Sequence, residues 1–296
     1  MEANLGTHFS LFRLVLVLAS LSTLAIAQQS GLVPTPDVDL SYESYGQPHA
    51  ATPVIIANGG PGLSHVYMIQ NDVWTRLSKG RQIVFYDQRG TGKSTRITAG
   101  ASQEIDAQVA DLEAIRTKFG FPKFDLVGDS YGGFLAMAYA AAHPDHVDKL
   151  ILSDSAAPAM KNIVRVLPQV FPDMTDRPSD PQEQMRHHFR MLFYSEEKRD
   201  AYLAGAKDLG YNPQVGSAVS RAIAKVDLTP QLPKFAFPTM VITGRYDMNV
   251  APLTAWNIYK AIPGAKFVIF AKSGHLPSYE EPDKYVQVVD AFLTGG

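Results

Sequence analysis

Residues Gly128-Asp129-Ser130-Tyr131-Gly132 spell G-x-S-x-G between an apolar run, Phe124-Asp125-Leu126-Val127, and a helix-forming run from Gly133 to Ala142. A strand that passes into a helix through so short a turn must hold its middle residue in a strained backbone conformation. A Cβ at either flanking glycine would collide with the returning chain. The turn lifts the Ser130 hydroxyl out of the sheet and sets it at a helix N-terminus, where unpaired amides can hold a developing negative charge. Ser130 is therefore a candidate nucleophile, and the fold around it must place a strand, a sharp turn and a helix in succession.

The rest of the chain repeats that alternation. Continuous apolar runs at 53–57 and 81–86 read as strands buried on both faces, and 149–153, 239–243 and 266–270 read as further strands. Ile105, Val109, Leu112, Ile115 and Phe119 fall at helical spacing within 104–119, and further helices are expected at 253–261 and 283–293. Residues 38–45 supply one or two edge strands after a Pro-containing lead-in at 33–37. The pattern predicts an α/β fold, with a mostly parallel central sheet and helices on both faces. From 157 to 237 the rhythm breaks into short amphipathic pieces, among them 185–194 and 200–209, punctuated by prolines. The simplest organisation is a core of 28–156 and 238–296, with 157–237 inserted as a helical cap over the C-terminal ends of the strands.

Composition bounds the function. A chain of 296 residues that is 46% hydrophobic can bury such a core. A formal net charge of −2 with no long basic run gives no electrostatic footprint for nucleic acid. The absence of cysteine excludes disulfides, Cys-ligated zinc and thiol catalysis. Arg13 precedes an apolar stretch over 14–27 that ends in Ala25-Ile26-Ala27. It is shorter than the about 20 residues a spanning helix needs, and it reads as a signal peptide, 1–27, cleaved before Gln28. The expectation is a secreted or periplasmic protein without stable membrane insertion.

A serine at its free pKa needs a base, and the base needs an acid to orient it. His275 follows the strand at 266–270, and Asp247 follows the strand at 239–243, both on the edge that carries Ser130. The order Ser130, Asp247, His275 matches that of α/β-hydrolases. Asp154, at the end of the strand at 149–153, is a rival acid. The oxyanion hole needs two backbone donors, expected from Tyr131 and from the glycine-rich loop Asn58-Gly59-Gly60-Pro61-Gly62, at Gly60. The run at 87–94 approaches G-x-x-x-x-G-K-[ST]. Asp87 replaces the first glycine, however, and polar residues follow where a helix should begin, so nucleotide binding is not expected. His187 and His188 are adjacent and cannot share a helical face, and no H-E-x-x-H occurs, so no metal is implied.

Together these pieces resemble the proline iminopeptidase (prolyl aminopeptidase) family of α/β-hydrolases. The matches are Gly59-Gly60-Pro61-Gly62 with His65 beyond it, Asp87-Gln88-Arg89-Gly90-Thr91-Gly92-Lys93-Ser94, the serine turn, Gly244-Arg245-Tyr246-Asp247, and Gly274-His275 followed by Glu281-Pro282. The resemblance implies cofactor-free release of an N-terminal proline or other small residue from short peptides. It also implies acidic cap residues near the substrate amine, for which Glu183, Glu196 and Glu197 are candidates. Among the aromatics Phe189, Phe193, Tyr194 and Tyr202, which can line a proline pocket or form cap core, Phe193 and Tyr194 are taken with Glu196 and Glu197 as substrate-binding candidates. The chain departs from that family at Asn58, where histidine is usual, and at Asp129 and Tyr131, where glycine and tryptophan are usual. A carboxylesterase or amidase on small acyl substrates, and a non-catalytic ligand-binding relative, are the alternatives.

Overall fold

The computed structural model describes residues 28–48, 51–95, 97–170 and 178–295, and the expected signal peptide at 1–27 lies outside the described residues. One eight-stranded sheet contains β1 (Gln29–Pro34), β2 (Asp39–Tyr45), β3 (Val54–Ala57), β4 (Ile83–Tyr86), β5 (Phe124–Asp129), β6 (Val147–Ser153), β7 (Thr239–Gly244) and β8 (Lys266–Phe270), in the order β1-β2-β4-β3-β5-β6-β7-β8. The strands from β3 onward pair in parallel, and β1 and β2 close one side antiparallel. The helices are α1 (Val73–Leu77), α2 (Ile105–Phe119) and α3 (Tyr131–Ala142), then α4 (Leu167–Val170), α5 (Pro181–Arg190), α6 (Glu196–Gly205) and α7 (Pro213–Ile223) between β6 and β7, and finally α8 (Pro252–Ala261), α9 (Pro277–Glu280) and α10 (Pro282–Thr294).

Strand alternation builds a core on each face of the sheet. Ile55, Val84 and Tyr86 join Leu112, Phe134 and Ile258 from α2, α3 and α8. Ile56 and Phe85 join Trp74 and Leu77 from α1 and Tyr285 and Val289 from α10.

Four local elements differ from expectation. Part of the stretch read as a lead-in, together with the residues before it, forms β1. Val33 is its only buried side chain, so no alternation announces it, and Pro34 is tolerated because β1 is an edge strand. Helix α5 starts earlier than expected because Asp180 accepts from Glu183 N and Pro181 occupies the first turn. Likewise α6 is set by Ser195, which accepts from Lys198 N. Helix α7 is not among the segments expected from the sequence, although Asn212 caps it, Pro213 occupies its first turn and Val215, Val219, Ala222 and Ile223 fall at helical spacing. A Cβ on Gly216 would lie 2.9 Å from Pro61 O, and one on Gly62 would lie 2.6 Å from Asn212 O, so the cap and the glycine-rich loop meet backbone to backbone.

The motif at 87–94 proves to be a brace. Asp87 Oδ1 accepts from Ser64 Oγ at 2.6 Å and contacts His65 Nδ1 at 2.8 Å, while its Oδ2 accepts from Lys93 N at 2.8 Å. Gln88 donates to Asn58 O at 2.8 Å, and the Asn58 side chain donates to Gly59 O and Leu63 O, both at 3.0 Å. Arg89 grips Asp111 through two bonds of 2.7 Å. The glycine-rich loop is thereby fixed in place beside β5.

His65 carries a charge in this brace. Burial alone would lower its pKa, but hydrogen bonds to Asp87 and Glu43 outweigh that and raise it from 6.5 to about 9. Because the folded pKa lies above the unfolded one, this stabilisation is fully present below pH 6.5 and is lost as pH rises through about 9. The expected result is an unfolding free energy that falls by up to about 3 kcal/mol across that window through this group. His65→Gln should abolish that component. Denaturant melts of both proteins from pH 6 to 9 check this, and parallel pH dependences would refute it.

Candidate active site

Ser130 lies where β5 turns into α3, with φ 53° and ψ −118°. Such a conformation persists only where its surroundings over-determine it. Ser130 N donates to Ser153 O at 2.9 Å, while Gly133 N and Ala156 N donate to Ser130 O at 3.0 and 2.9 Å. A Cβ on Gly128 would lie 2.4 Å from Gly132 O, and one on Gly132 would lie 1.9 Å from Ala57 O, so both glycines of the turn are required.

Asp247 and His275 come from the loops after β7 and β8. His275 Nδ1 lies 2.6 Å from Asp247 Oδ2, with the two residues 4% and 1% exposed. The other oxygen of Asp247 accepts from Asn249 N and Val250 N, both at 2.9 Å, which fixes the carboxylate plane. Burial lowers the pKa of His275, but the Asp247 charge and hydrogen bond outweigh it and the net displacement is upward. With Nδ1 turned to the acid, Nε2 is the nitrogen left for chemistry, and Asn249 Nδ2 lies 3.4 Å from it.

The rival acid does other work. Asp154 accepts from Gly244 N at 2.9 Å and from Ser153 Oγ at 3.0 Å, so it ties the end of β6 to that of β7. Burial and the nearby Asp247 charge push its pKa well above the usual carboxylate range.

Two amides face the requirements of an oxyanion hole. Tyr131 N opens α3 and has no acceptor within its own helix. In the glycine-rich loop, Gly59 N is already committed to Tyr67 Oη at 2.6 Å, which leaves Gly60 N as the next donor along. The Tyr131 ring is turned away into the core.

Ser130, His275 and Gly60 line one cavity that opens to solvent. Leu63, Tyr67, Asp129, Asn249 and Leu276 also line it. The cap contributes Met185, His188, Phe189 and Leu192, all from α5 or the residues just after it. Burial lowers the His188 pKa to about 4, so this second imidazole is neutral at neutral pH.

The candidate substrate-binding residues of the cap do not line this cavity. Glu196 and Glu197 are exposed in the first turn of α6, where they complement the helix dipole. Glu183 lines a separate outer groove. Phe193 packs against Tyr202 and Tyr279, and Tyr194 stacks on Tyr246 at 4.3 Å. The cause is Glu280, whose carboxylate accepts from Tyr194 N, Ser195 N and Gly274 N, while His275 N donates to Leu192 O at 2.7 Å. These bonds fix the chain after α5 to the His275 loop and turn the preceding residues inward. Helical spacing puts Met185, Phe189 and Leu192 on one face of the segment at 185–194, and all three line the cavity. No sequence signal distinguished His188 from His187, which lines the outer groove.

Among the described residues, two groups bring metal-capable atoms within 4.8 Å of one another: Asp154 with Asp247 and His275, and Glu113 with His143 and His146. In the first, Asp247 and Nδ1 of His275 are bonded to each other. In the second, Arg116 already pairs with both oxygens of Glu113.

Comparison with known proteins agrees with this architecture. The profile of the alpha/beta hydrolase fold family matches residues 52–282. The proline iminopeptidase of Saccharolobus solfataricus is 30% identical over 86% of this chain and 89% of its own length. That of Heyndrickxia coagulans is 28% identical over 86% of this chain and 94% of its own. Solved structures of an esterase from Rhodococcus and an enol-lactonase from Burkholderia xenovorans superpose with TM-scores of 0.75 and 0.73 at 22% and 23% identity. They cover 90% and 89% of this chain and 98% and 100% of their own. The chain thus belongs to the α/β-hydrolase fold family and, within it, to the proline iminopeptidase family.

Proposed function

We propose that this hydrolase is a serine enzyme that works through an acyl-enzyme and acts as an aminopeptidase, releasing N-terminal proline or a small residue from short peptides. The observation that carries the reading is the buried 2.6 Å bond between His275 and Asp247 at the cavity that Ser130 lines. In this mechanism Ser130 Oγ attacks the carbonyl carbon while Nε2 of His275 takes its proton. The amides of Tyr131 and Gly60 hold the tetrahedral oxyanion. As the intermediate collapses, His275 returns the proton to the leaving amine. Water then attacks the acyl-enzyme by the same route and frees Ser130. The relatives named proline iminopeptidases support the substrate class, and the segment at 1–27 supports action outside the cytoplasm.

A second reading, a carboxylesterase or amidase on small acyl groups, draws support from the apolar wall of Leu63, Met185, Phe189 and Leu192. Comparing kcat/KM for L-proline p-nitroanilide and p-nitrophenyl butyrate separates the two. The peptidase is expected to prefer the arylamide and to require its free amine. Preference for the ester, with indifference to the amine, would replace the first reading by the second.

A further inference from the structure

Among the described residues that line the cavity, Asp129 is the one carboxylic acid. It precedes Ser130, is 4% exposed, and its Oδ2 accepts from Tyr67 Oη at 2.5 Å. The same hydroxyl accepts from Gly59 N at 2.6 Å, so its single proton is committed to Asp129. Tyr67 supplies the only hydrogen bond that the described residues give this carboxylate. A buried carboxylate with one partner is under-compensated. Burial accordingly pushes its pKa up to about 6, with the charges of His275 and Asp247 acting on it in opposite directions. At neutral pH the group is anionic and short of partners.

Resting on the peptidase reading, we propose that Asp129 is the counter-ion for the free α-amine of the substrate, a role its position beside the nucleophile allows and the described cap glutamates cannot fill. The amine of an N-terminal residue lies two bonds from the carbonyl that Ser130 attacks, so its partner must stand next to Ser130. Glu183 lines the outer groove, and Glu196 and Glu197 are exposed on α6. An ammonium that entered a cavity walled by Leu63, Met185, Phe189 and Leu192 without a counter-charge would be left buried and unpaired. Asp129 meets that charge, and the ammonium supplies the second partner that the carboxylate lacks. A substrate with an acylated amine brings no such partner and leaves the buried anion uncompensated, so the site discriminates against it.

The test compares L-proline p-nitroanilide with its N-acetyl derivative in the wild type and in Asp129→Asn, which keeps the shape and can still accept from Tyr67. The free-over-acetylated ratio of kcat/KM is expected to fall about 100-fold in the variant. In the inactive Ser130→Ala background, calorimetry should show the preference for L-prolinamide over N-acetyl-L-prolinamide falling to the same extent when Asp129→Asn is added. A wild-type preference that survives in Asp129→Asn overturns the assignment and leaves the peptidase reading standing. A wild type indifferent to the amine overturns the peptidase reading, and the assignment with it.

Discussion

Ser130→Ala is expected to lower kcat by about 10⁶-fold while leaving the fold and the melting temperature close to those of the wild type. The elbow is held by backbone groups: Ser130 N on Ser153 O, and Gly133 N and Ala156 N on Ser130 O. None of these bonds involves the hydroxyl, and alanine suffers no more than serine at a φ of 53°. Activity above the uncatalysed rate should persist, because the two proposed oxyanion amides and substrate binding act without the nucleophile. A fluorophosphonate probe should label the wild type and not the variant. The informative contrast is Gly132→Ala, whose new Cβ would meet Ala57 O at 1.9 Å and damage the turn itself. Loss of activity with an unchanged melt in the first variant, and loss with a lowered melt in the second, would separate the chemistry of the elbow from its architecture. Wild-type turnover in Ser130→Ala would end the serine-hydrolase reading.

The elbow was legible in the sequence because its signals are local. An apolar strand, two glycines and a helix-forming run determine where a serine between them must sit. The loops that carry Asp247 and His275 were legible for a related reason, since the strands before them are continuous apolar runs whose ends are easy to place. Local signals fail where the decisive contacts join distant segments. The face that α5 presents to the cavity depends on Glu280, which clamps Tyr194 N and Ser195 N from more than 80 positions along the chain. Without that clamp, Tyr194 and Phe193 look as able to line a pocket as Phe189 does. The adjacent acids Glu196 and Glu197 look like ligands for an amine until α6 is seen to carry them in its exposed first turn. Asp129 shows the opposite case. It stood out only as a departure from a family pattern, and its partner Tyr67 comes from a separate segment that the fold brings beneath it. The motif at 87–94 likewise resembled a phosphate loop in sequence, and its part as a brace for the glycine-rich loop emerged only once Ser64, His65 and Asn58 were placed around it.

Asp247→Asn is expected to lower kcat by about 10⁴-fold, and Asp154→Asn to leave it within a few-fold of the wild type. The two aspartates are close enough for the charge of one to raise the pKa of the other, so proximity alone does not assign the role. Hydrogen bonding does. Asp247 Oδ2 holds His275 Nδ1 at 2.6 Å, and its Oδ1 is fixed by Asn249 N and Val250 N. An asparagine there can turn its amide nitrogen or its oxygen toward His275, and the oxygen stays with the two backbone donors because an N–H cannot replace it. The amide nitrogen then faces Nδ1 and requires it to accept, which puts the ring proton on Nε2, the nitrogen that must be free to take the proton of Ser130. The base is present but in the wrong tautomer. Asp154 is different because its oxygens accept from Gly244 N and Ser153 Oγ and neither is bonded to His275, so asparagine there leaves the orientation of the imidazole alone. Its contacts with Gly244 N and Ser153 Oγ concern the junction of β6 with β7, and the cost of altering them should appear in the melt rather than in turnover. Steady-state rates and thermal melts of both variants check this. A larger loss of kcat in Asp154→Asn than in Asp247→Asn would move the acid of the triad from the loop after β7 to the end of β6.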